Sequence, residues 1–585
     1  MENDLTNIEL RAIGAARGII FGNAYLLDRN RMDVRKFCLL NNAIEKEVER
    51  FEKALAESKR QLQDIIISLS SSDACQHLYV LEAHKKMLDD PMVEEGTKQG
   101  IRKNRINAEW ALVQVLEGIS RLFEQVEDDY LRERAADVDF IGQRLLRNLA
   151  GKEREGMPID ATGMIIVAHD LSPADIAQLA HQGVTGIATD LGGRTGHTAI
   201  MARSLGIPTV VGLGKITRLV TPKDPLILDG TRGVVVVKPD QEKRKSYQAL
   251  KALELERKEA LTRLKDIPAI TTDGKRISLL ANLDLPGEFE QVMENGAEGI
   301  GLFRTEYMFL GRQSPPTENE HFEEYLRLTR LVDGKPITLR TYDLGGEKLL
   351  WSKVTHHEPN PALGVRGVRF TLRHEEVLID QLKAMYRAAA HGKIKILFPM
   401  VSGLGEWRQL KDLAGKAVRM LEAESREYDK SCPLGPMIEI PSAAIISDQL
   451  AKEADFLSLG TNDLVQYMLA TDRDNELVSG LYEPLHPAIL RILKHVIDEA
   501  AKAHTPLAIC GEMAGDPFNA LVLLGLGLEE FSMTPNTIPV VKNILINGSK
   551  REAALLASEL IELSTAEEVA ERVKEWMAQR YPELS

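Results

Sequence analysis

From Asp273-Gly274 onward the chain repeats one unit: a short apolar run followed by a stretch with helical spacing. The runs are ISLLANL from Ile277, GIGLF from Gly299, ITLRT from Ile337, IKILFP from Ile394, PMIEI from Pro436, FLSLG from Phe456, LAIC from Leu507 and EFSM from Glu530. Helical patterns such as HEEVLIDQLKAMYRAAA separate them. Strands alternating with helices over roughly 310 residues have the size and rhythm of a (β/α)₈ barrel with insertions. An open doubly wound sheet is the competing architecture, and periodicity alone does not separate the two.

The first half has a different texture. Ala12–Leu27 is Gly-rich and then alternating, as a strand and turn would be. From Asn42 the apolar residues Ile44, Val48, Phe51, Leu55, Leu62, Ile66 and Leu69 recur at steps of three, four and seven, the seam of a long amphipathic helix. Further helical stretches are expected at Gln76–Leu88, from near Asn107, and at Asp137–Leu149, making an antiparallel bundle joined by short connections. At Met164 the pattern returns to short strands: MIIVA, VTGIAT at Val184–Thr189, TVVG at Thr209–Gly212 and a pair within Leu226–Val237. The bundle therefore reads as an insertion into an α/β domain whose first strand precedes it. The expected boundaries are an α/β domain at 1–40 and 152–240, an inserted helical domain at 41–151, a stiff charged linker at 241–268 without Gly or Pro up to Asp266, and the barrel at 269–585. The stretch from Ala566 reads as an ordinary terminal helix.

A chain of 585 residues requires more than one core. Its net charge of −14 argues against nucleic-acid or anionic-membrane partners. Cys38, Cys75, Cys432 and Cys510 lie far apart with no metal-binding spacing, which fits a reducing cytoplasm. The N-terminal residues lack the apolar core of a signal peptide, and no apolar run reaches membrane-spanning length, so a soluble cytoplasmic protein is expected.

Polar residues follow the C-terminal strands directly, where a barrel assembles its active site. They are Asn282, Arg304, Arg340 with Asp343, Glu439, Asn462 with Asp463, and Cys510 with Glu512. Carboxylates from different strands, Glu439 and Asp463, suit a hard divalent cation that binds phosphate oxygen. Arg304, Arg340, Arg366 and Arg473 suit a small, multiply charged anion, because a guanidinium grips carboxylate and phosphate bidentately. A single arginine is more often a surface ion pair, and a lone cysteine more often a small buried hydrophobe. Clustering at strand ends is what raises these residues above that reading.

The most specific passage is TDLGGRTGHTAIMARSLGIPTVVG, Thr189–Gly212. A strand ends at Thr189, Gly192-Gly193 allow a tight turn, and Thr198–Leu205 reads as a helix with Ile200, Met201 and Leu205 inward. His197 then lies at a helix N-terminus, where free N–H groups and the helix dipole favour an anion and a neutral imidazole. Nucleophilic histidine catalysis fits, with Arg194, Thr195 and Thr198 as ligands of the product. A capping histidine, or a loop that cradles a nucleotide phosphate, reads equally from the loop alone. No GxxxxGK[ST] or GxGxxG sequence supports a nucleotide fold elsewhere.

Taken with GAEGIGLFRTEYMF, LRTYDLGGEK, NPALGVRGVR, SLGTNDLVQYMLATDRDN and CGEMAGD in that order, the passage resembles enzyme I of the bacterial phosphoenolpyruvate:sugar phosphotransferase system over essentially the whole chain. The resemblance implies a swivelling phosphohistidine α/β domain with an inserted helical bundle, plus a C-terminal (β/α)₈ barrel. It implies that His197 receives the phosphoryl group of phosphoenolpyruvate and passes it to a histidine of HPr, the small phosphocarrier that docks on the bundle, with release of pyruvate. Arg304, Arg340, Asn462, Asp463 and Arg473 match substrate-binding residues, Glu439 and Asp463 the Mg²⁺ ligands, and Cys510 the acid that protonates the enolate. A homodimer joined through the barrels is implied as well. The chain departs from the family pattern at Gly196 and Ala199, where serines are usual, and at the turn Ala15-Ala16-Arg17-Gly18. Pyruvate phosphate dikinases and phosphoenolpyruvate synthases share the histidine domain and barrel but need a nucleotide-binding domain, for which no stretch remains. A regulatory scaffold that binds phosphoenolpyruvate without turnover is the alternative from another class.

Overall fold

The computed structural model describes residues 7–27, 34, 36–70, 84–85, 87–124, 129–151, 160–193, 197–284, 289–309, 312, 314–345, 360–473, 475 and 478–581. The chain divides into two compact units, Met1–Glu256 and Arg257–Ser585.

In the first unit eight strands form one sheet: β1 (Ile8–Arg11), β2 (Ile13–Ala16), β3 (Ile19–Leu27), β4 (Met164–Ala168), β5 (Gly186–Thr189), β6 (Thr209–Val211), β7 (Pro225–Asp229) and β8 (Val234–Val237). The order is β1-β8-β7-β3-β4-β5-β6-β2. β3 to β6 run parallel, and the remaining pairings are antiparallel. β1 and β2 are one extended segment broken at Ala12, so the same stretch pairs with both ends of the sheet and wraps it on itself. Glycine is required where the backbones meet: a Cβ on Gly14 would sit 2.3 Å from the Gly230 carbonyl oxygen. β1 itself was outside the sequence expectation, being only four residues of mixed polarity.

Between β3 and β4 lie helices Ile44–Ser70, Pro91–Asn104, Ala108–Glu124 and Asp129–Leu149. Val48, Phe51, Leu55, Leu62 and Ile66 are buried, as the three-four spacing demands. The helical expectation at Gln76–Leu88 falls mostly outside the described residues. Helix Pro91–Asn104 went unread because its charged sequence hides a narrow apolar face, yet its start is marked: Asp90 accepts the Met92 N–H and Pro91 opens the first turn. The fourth helix begins at Asp129, eight residues before the expected Asp137. One apolar cluster joins the bundle to the sheet, running from Phe51, Leu112 and Leu145 to Ile166, Ile176 and Ile187. Helix Gln241–Thr262 follows β8 with a single buried residue, Tyr247, as expected of a charged connector.

The second unit is a closed parallel barrel of β9 (Ser278–Leu283), β10 (Ile300–Arg304), β11 (Ile337–Arg340), β12 (Ile394–Phe398), β13 (Leu434–Ile438), β14 (Leu457–Leu459), β15 (Leu507–Ile509) and β16 (Glu530–Met533). β16 pairs with β9, which excludes the open sheet. Every residue of β11 and β14 is buried, the signature of strands covered on both faces. Leu302, Leu397, Met437, Phe456 and Cys510 pack together as one interior cluster. The final helix, Ala566–Arg580, is capped by the reciprocal Thr565–Glu568 pair. No described helix is long and apolar enough to cross a membrane.

Candidate active site

Most barrel strands deliver a polar side chain as they leave the apolar interior. Arg304 and Arg340 are the last residues of β10 and β11, Glu439 follows β13, and Cys510 follows β15. Asn462 and Asp463 open helix Thr461–Leu469 one residue after Gly460 ends the β14 connection. The barrel closure therefore gathers residues from 282 to 532 onto one rim.

Arg340 is almost fully buried, and its Nη2 donates to Glu306 Oε1 at 2.9 Å while Nη1 lies 3.2 Å from Asp343 Oδ2. Arg366 grips Asp343 with both ends of its fork, Nε to Oδ1 at 3.1 Å and Nη2 to Oδ2 at 2.7 Å. The same Nη2 donates to Asp463 at 3.2 Å, and Nη1 donates to the Tyr467 hydroxyl at 3.2 Å. Asp343 is thus a shared clamp that fixes both arginines. Glu306 in turn accepts the Asp343 backbone N–H at 2.8 Å.

Acidic side chains outnumber basic ones here among the described residues. Glu306, Asp343, Glu439 and Asp463 all act on Arg340, and Arg366 is the only other guanidinium bonded to this group among the described residues. Four carboxyl groups thus crowd round two guanidinium groups. Burial would weaken the Arg340 cation, but the surrounding carboxylates overcome it and hold its pKa raised. Glu439 carries the opposite consequence: burial first, then repulsion from Asp463 and Asp343, pushes its carboxyl up to about 8. Its Oε1 accepts the Met400 N–H at 2.5 Å. A carboxyl pair this reluctant to ionise together suits a divalent cation, which would favour the ionised form of both. Among the described residues no three His, Cys, Asp or Glu side chains surround one point as a closed cage. A cation on Glu439 and Asp463 would keep oxygens of water or ligand as its other partners, the habit of Mg²⁺.

Cys510 is buried, and burial pushes its thiol up to about 11 although the Ser458 hydroxyl donates to Sγ at 3.3 Å. Its S–H donates to the Leu459 carbonyl at 3.4 Å. Asn282 braces the same strand end, donating to the Cys510 carbonyl at 2.9 Å and accepting from Ser532 at 2.6 Å. Asn462 and Glu512 bond each other twice, through the Glu512 N–H at 2.8 Å and the Asn462 amide at 3.1 Å. Arg473 approaches Glu512 at 3.8 Å, and Arg304 pairs with Asp284 at 3.0 Å. Arg340 Nε and Thr461 Oγ1 are buried with no hydrogen-bond partner among the described residues.

The barrel mouth thus holds Arg304, Arg340, Glu439, Asn462, Asp463, Arg473 and Cys510. Glu306, Asp284 and Ser458 were missed by sequence reasoning. Glu306 had a readable signal, an acidic residue two positions after Arg304 in LFRTEY, whereas Ser458 lies within an apolar strand and offered none.

His197 belongs to the first unit, where it is the first residue of helix His197–Ser204. Its side chain, and residues 194–196 including Gly196, lie outside what is described. Thr198 is buried and its hydroxyl donates to the Leu171 carbonyl at 3.0 Å. That bond ties the helix start to the segment after β4, where Ser172 and Asp175 cap helix Pro173–His181 reciprocally. Ala199 is wholly buried in a cluster with Ala15 and Val211. The departure Ala199 therefore packs against Ala15, the first residue of the turn that also departs from the family pattern, and the hydroxyl missing at 199 would have been buried there.

Comparison with known proteins agrees with this geometry. Residues 258–549 match the PEP-utilising enzyme PEP-binding domain, residues 11–134 the N-terminal domain of such enzymes, and residues 160–233 their mobile domain. A phosphoenolpyruvate-protein phosphotransferase of Listeria monocytogenes is 40% identical over 571 residues, covering 98% of this chain and 100% of its own. Proteins of the same name from Bacillus subtilis and Haemophilus influenzae are 39% and 38% identical, each covering 97% of this chain and 99% of their own length. A solved structure titled Enzyme I (nEIt) aligns over 42% of this chain and 99% of its own, with 33% identity and a TM-score of 0.37. With this identity sustained from end to end, the chain belongs to the phosphoenolpyruvate-protein phosphotransferase family.

Proposed function

We propose that this chain transfers the phosphoryl group of phosphoenolpyruvate to its own His197 and then to a histidine of HPr, releasing pyruvate, as the first step of sugar uptake by the phosphotransferase system. The observation that carries the reading is the barrel mouth, where clustered carboxyl groups, fixed arginines and a proton-holding thiol meet at the strand ends.

Arg304, Arg340 and Arg473 bind the carboxylate and phosphoryl oxygens, with Asn462 orienting the substrate. Asp343 holds Arg340 and Arg366 so that they need not reorganise as charge moves. Glu439 and Asp463 would hold Mg²⁺, which when bound supplies Lewis-acid polarisation and charge neutralisation. Neutral His197 attacks phosphorus in line; the N–P bond forms as the bond from phosphorus to the enol oxygen breaks. The enolate carbon takes its proton from Cys510, whose raised pKa keeps the thiol protonated at neutral pH, and the thiolate is reprotonated from solvent. His197 and the mouth belong to different units, so the phosphohistidine domain must swing between the barrel and HPr, with helix Gln241–Thr262 as the connector. Dimerisation through the barrels and residence in the cytoplasm complete the proposal.

Pyruvate release separates this reading from a non-catalytic scaffold. With phosphoenolpyruvate, Mg²⁺ and HPr all present, pyruvate should form in many-fold excess over enzyme; without HPr it should stop at about one equivalent per chain. Binding of phosphoenolpyruvate without pyruvate formation would refute the proposal.

A further inference from the structure

Asn282 stands next to the end of β9, and the reaction described above does not use it. Its amide is committed at both ends. Nδ2 donates to the Cys510 carbonyl at 2.9 Å, and Oδ1 accepts the Ser532 hydroxyl at 2.6 Å. A carbonyl only accepts, so the amide nitrogen must face Cys510 and its oxygen is left for Ser532. Ser532 is wholly buried on β16, the strand between β9 and β15. Gly301 of β10 makes room for it, since a Cβ there would collide with Ser532 Oγ. The bridge therefore crosses one strand to reach the residue that carries the thiol.

Cys510 needs such a bridge. The pairing of β15 with β16 ends at Ile509, one residue earlier. The Cys510 N–H still donates to the Leu459 carbonyl at 3.0 Å, but the next residue is Gly511. Glycine is required there because a Cβ would collide with Thr461 Oγ1, at the start of the helix that carries Asn462 and Asp463. The same glycine removes the restraint a side chain would place on the peptide unit between 510 and 511. Hydrogen bonds supply the restraint instead. Asn282 holds the carbonyl of that unit, and Asn462 Oδ1 accepts the Glu512 N–H at 2.8 Å one residue further on. The thiol itself bonds only to β14 groups among the described residues, the Ser458 hydroxyl and the Leu459 carbonyl.

We infer that Asn282, buttressed by Ser532, is a positioning residue that fixes the face of the enolate to which Cys510 delivers its proton. The inference rests on Cys510 being the acid of the proposed reaction. The enolate is planar at C3, so a proton can arrive from either side; an acid held at one strand end reaches one side only. In that step the S–H bond breaks, the electron pair of the enolate forms the new C–H bond at C3, and water returns a proton to the thiolate. Asn282 exchanges no proton and acts through the Cys510 backbone.

The test follows the added hydrogen. Full-length wild type, Asn282→Leu and Ser532→Ala are turned over with phosphoenolpyruvate, Mg²⁺ and HPr in tritiated water, the phosphoenolpyruvate carrying deuterium at one of its C3 positions. The methyl group of pyruvate then holds protium, deuterium and tritium, and its handedness reports the face of protonation. Wild type should give one handedness. Asn282→Leu keeps the branched shape without either polar end and should give a mixture approaching equal proportions. Its turnover number should fall about 10–100-fold, as for a reacting group displaced by about 1 Å, with KM for phosphoenolpyruvate within about threefold of wild type. Ser532→Ala leaves the bond to Cys510 but frees the amide, so turnover should fall about threefold and handedness should be partly lost; this variant decides the matter if Asn282→Leu does not fold. A brace that serves barrel stability alone would lower the urea midpoint and leave the handedness and turnover of folded enzyme unchanged, which would overturn this inference alone. An equal mixture from the wild type would overturn it together with Cys510 as the acid.

Discussion

Gly460 offers a one-atom test of the mouth. It joins β14 to the helix that carries Asn462 and Asp463, and a Cβ there would lie 2.8 Å from Glu439 Oε2, 2.9 Å from Glu439 Cβ and 2.9 Å from Met437 Sδ. Carbon needs about 3.5 Å from such atoms, so each contact is short by more than half an ångström. Glu439 cannot simply step aside, because the Met400 N–H holds its other oxygen and the site is buried. In Gly460→Ala the overpacking should cost about 1–3 kcal/mol of barrel stability. The displaced carboxylate should weaken Mg²⁺ binding about 10–100-fold, comparable to losing a residue that orients a metal ligand. Gly405→Ala serves as the control: it lies in helix Leu404–Ala423 with nothing within 4 Å of the added atom, and Ala there favours the helix. Calorimetric titration of Mg²⁺ and pyruvate-release kinetics over a Mg²⁺ series give the readout. Equal Mg²⁺ affinity in wild type and Gly460→Ala would refute the assignment of Glu439 as a ligand.

Cys510→Ala should retain phosphoenolpyruvate affinity but lose about 100-fold or more in the turnover number for pyruvate formation, checked by steady-state kinetics in D₂O and H₂O; unchanged turnover would remove the thiol from the mechanism. His321 should make the barrel acid-sensitive. It is buried between the Tyr325 and Tyr342 hydroxyls, and burial holds its pKa down at about 3 against about 6.5 when unfolded. Its contribution is therefore complete above pH about 6.5 and is lost as pH falls toward about 3, by at most about 1.4 kcal/mol per pH unit. Urea midpoints of the barrel from pH 7 to pH 4 should fall more steeply in wild type than in His321→Gln.

How much of this was legible depended on how local the signal was. Each barrel strand is a short apolar run, and most are followed by a polar residue, so β9 to β16 and the rim residues Arg340, Glu439 and Cys510 could be read directly. Closure could not, because it depends on β16 reaching β9 across some 250 residues. The clamp was half visible: Asp343 stood out beside Arg340, but no periodicity links it to Arg366, which it holds bidentately from 23 positions away. Glu306 offered only its place two positions after Arg304; its bond to Arg340 comes from the fold. β1 and helix Pro91–Asn104 were missed for a common reason, that a short or charge-rich element declares itself through its partners.

The most direct test of the central claim is the address of the phosphoryl group. The full-length chain is incubated with ³²P-labelled phosphoenolpyruvate and Mg²⁺, digested under alkaline conditions and mapped, with His197→Ala alongside. The account predicts one acid-labile label, on the peptide containing His197, and none in the variant, which should still bind phosphoenolpyruvate. Full labelling of His197→Ala, or label mapped to any other residue of the wild type, would contradict it.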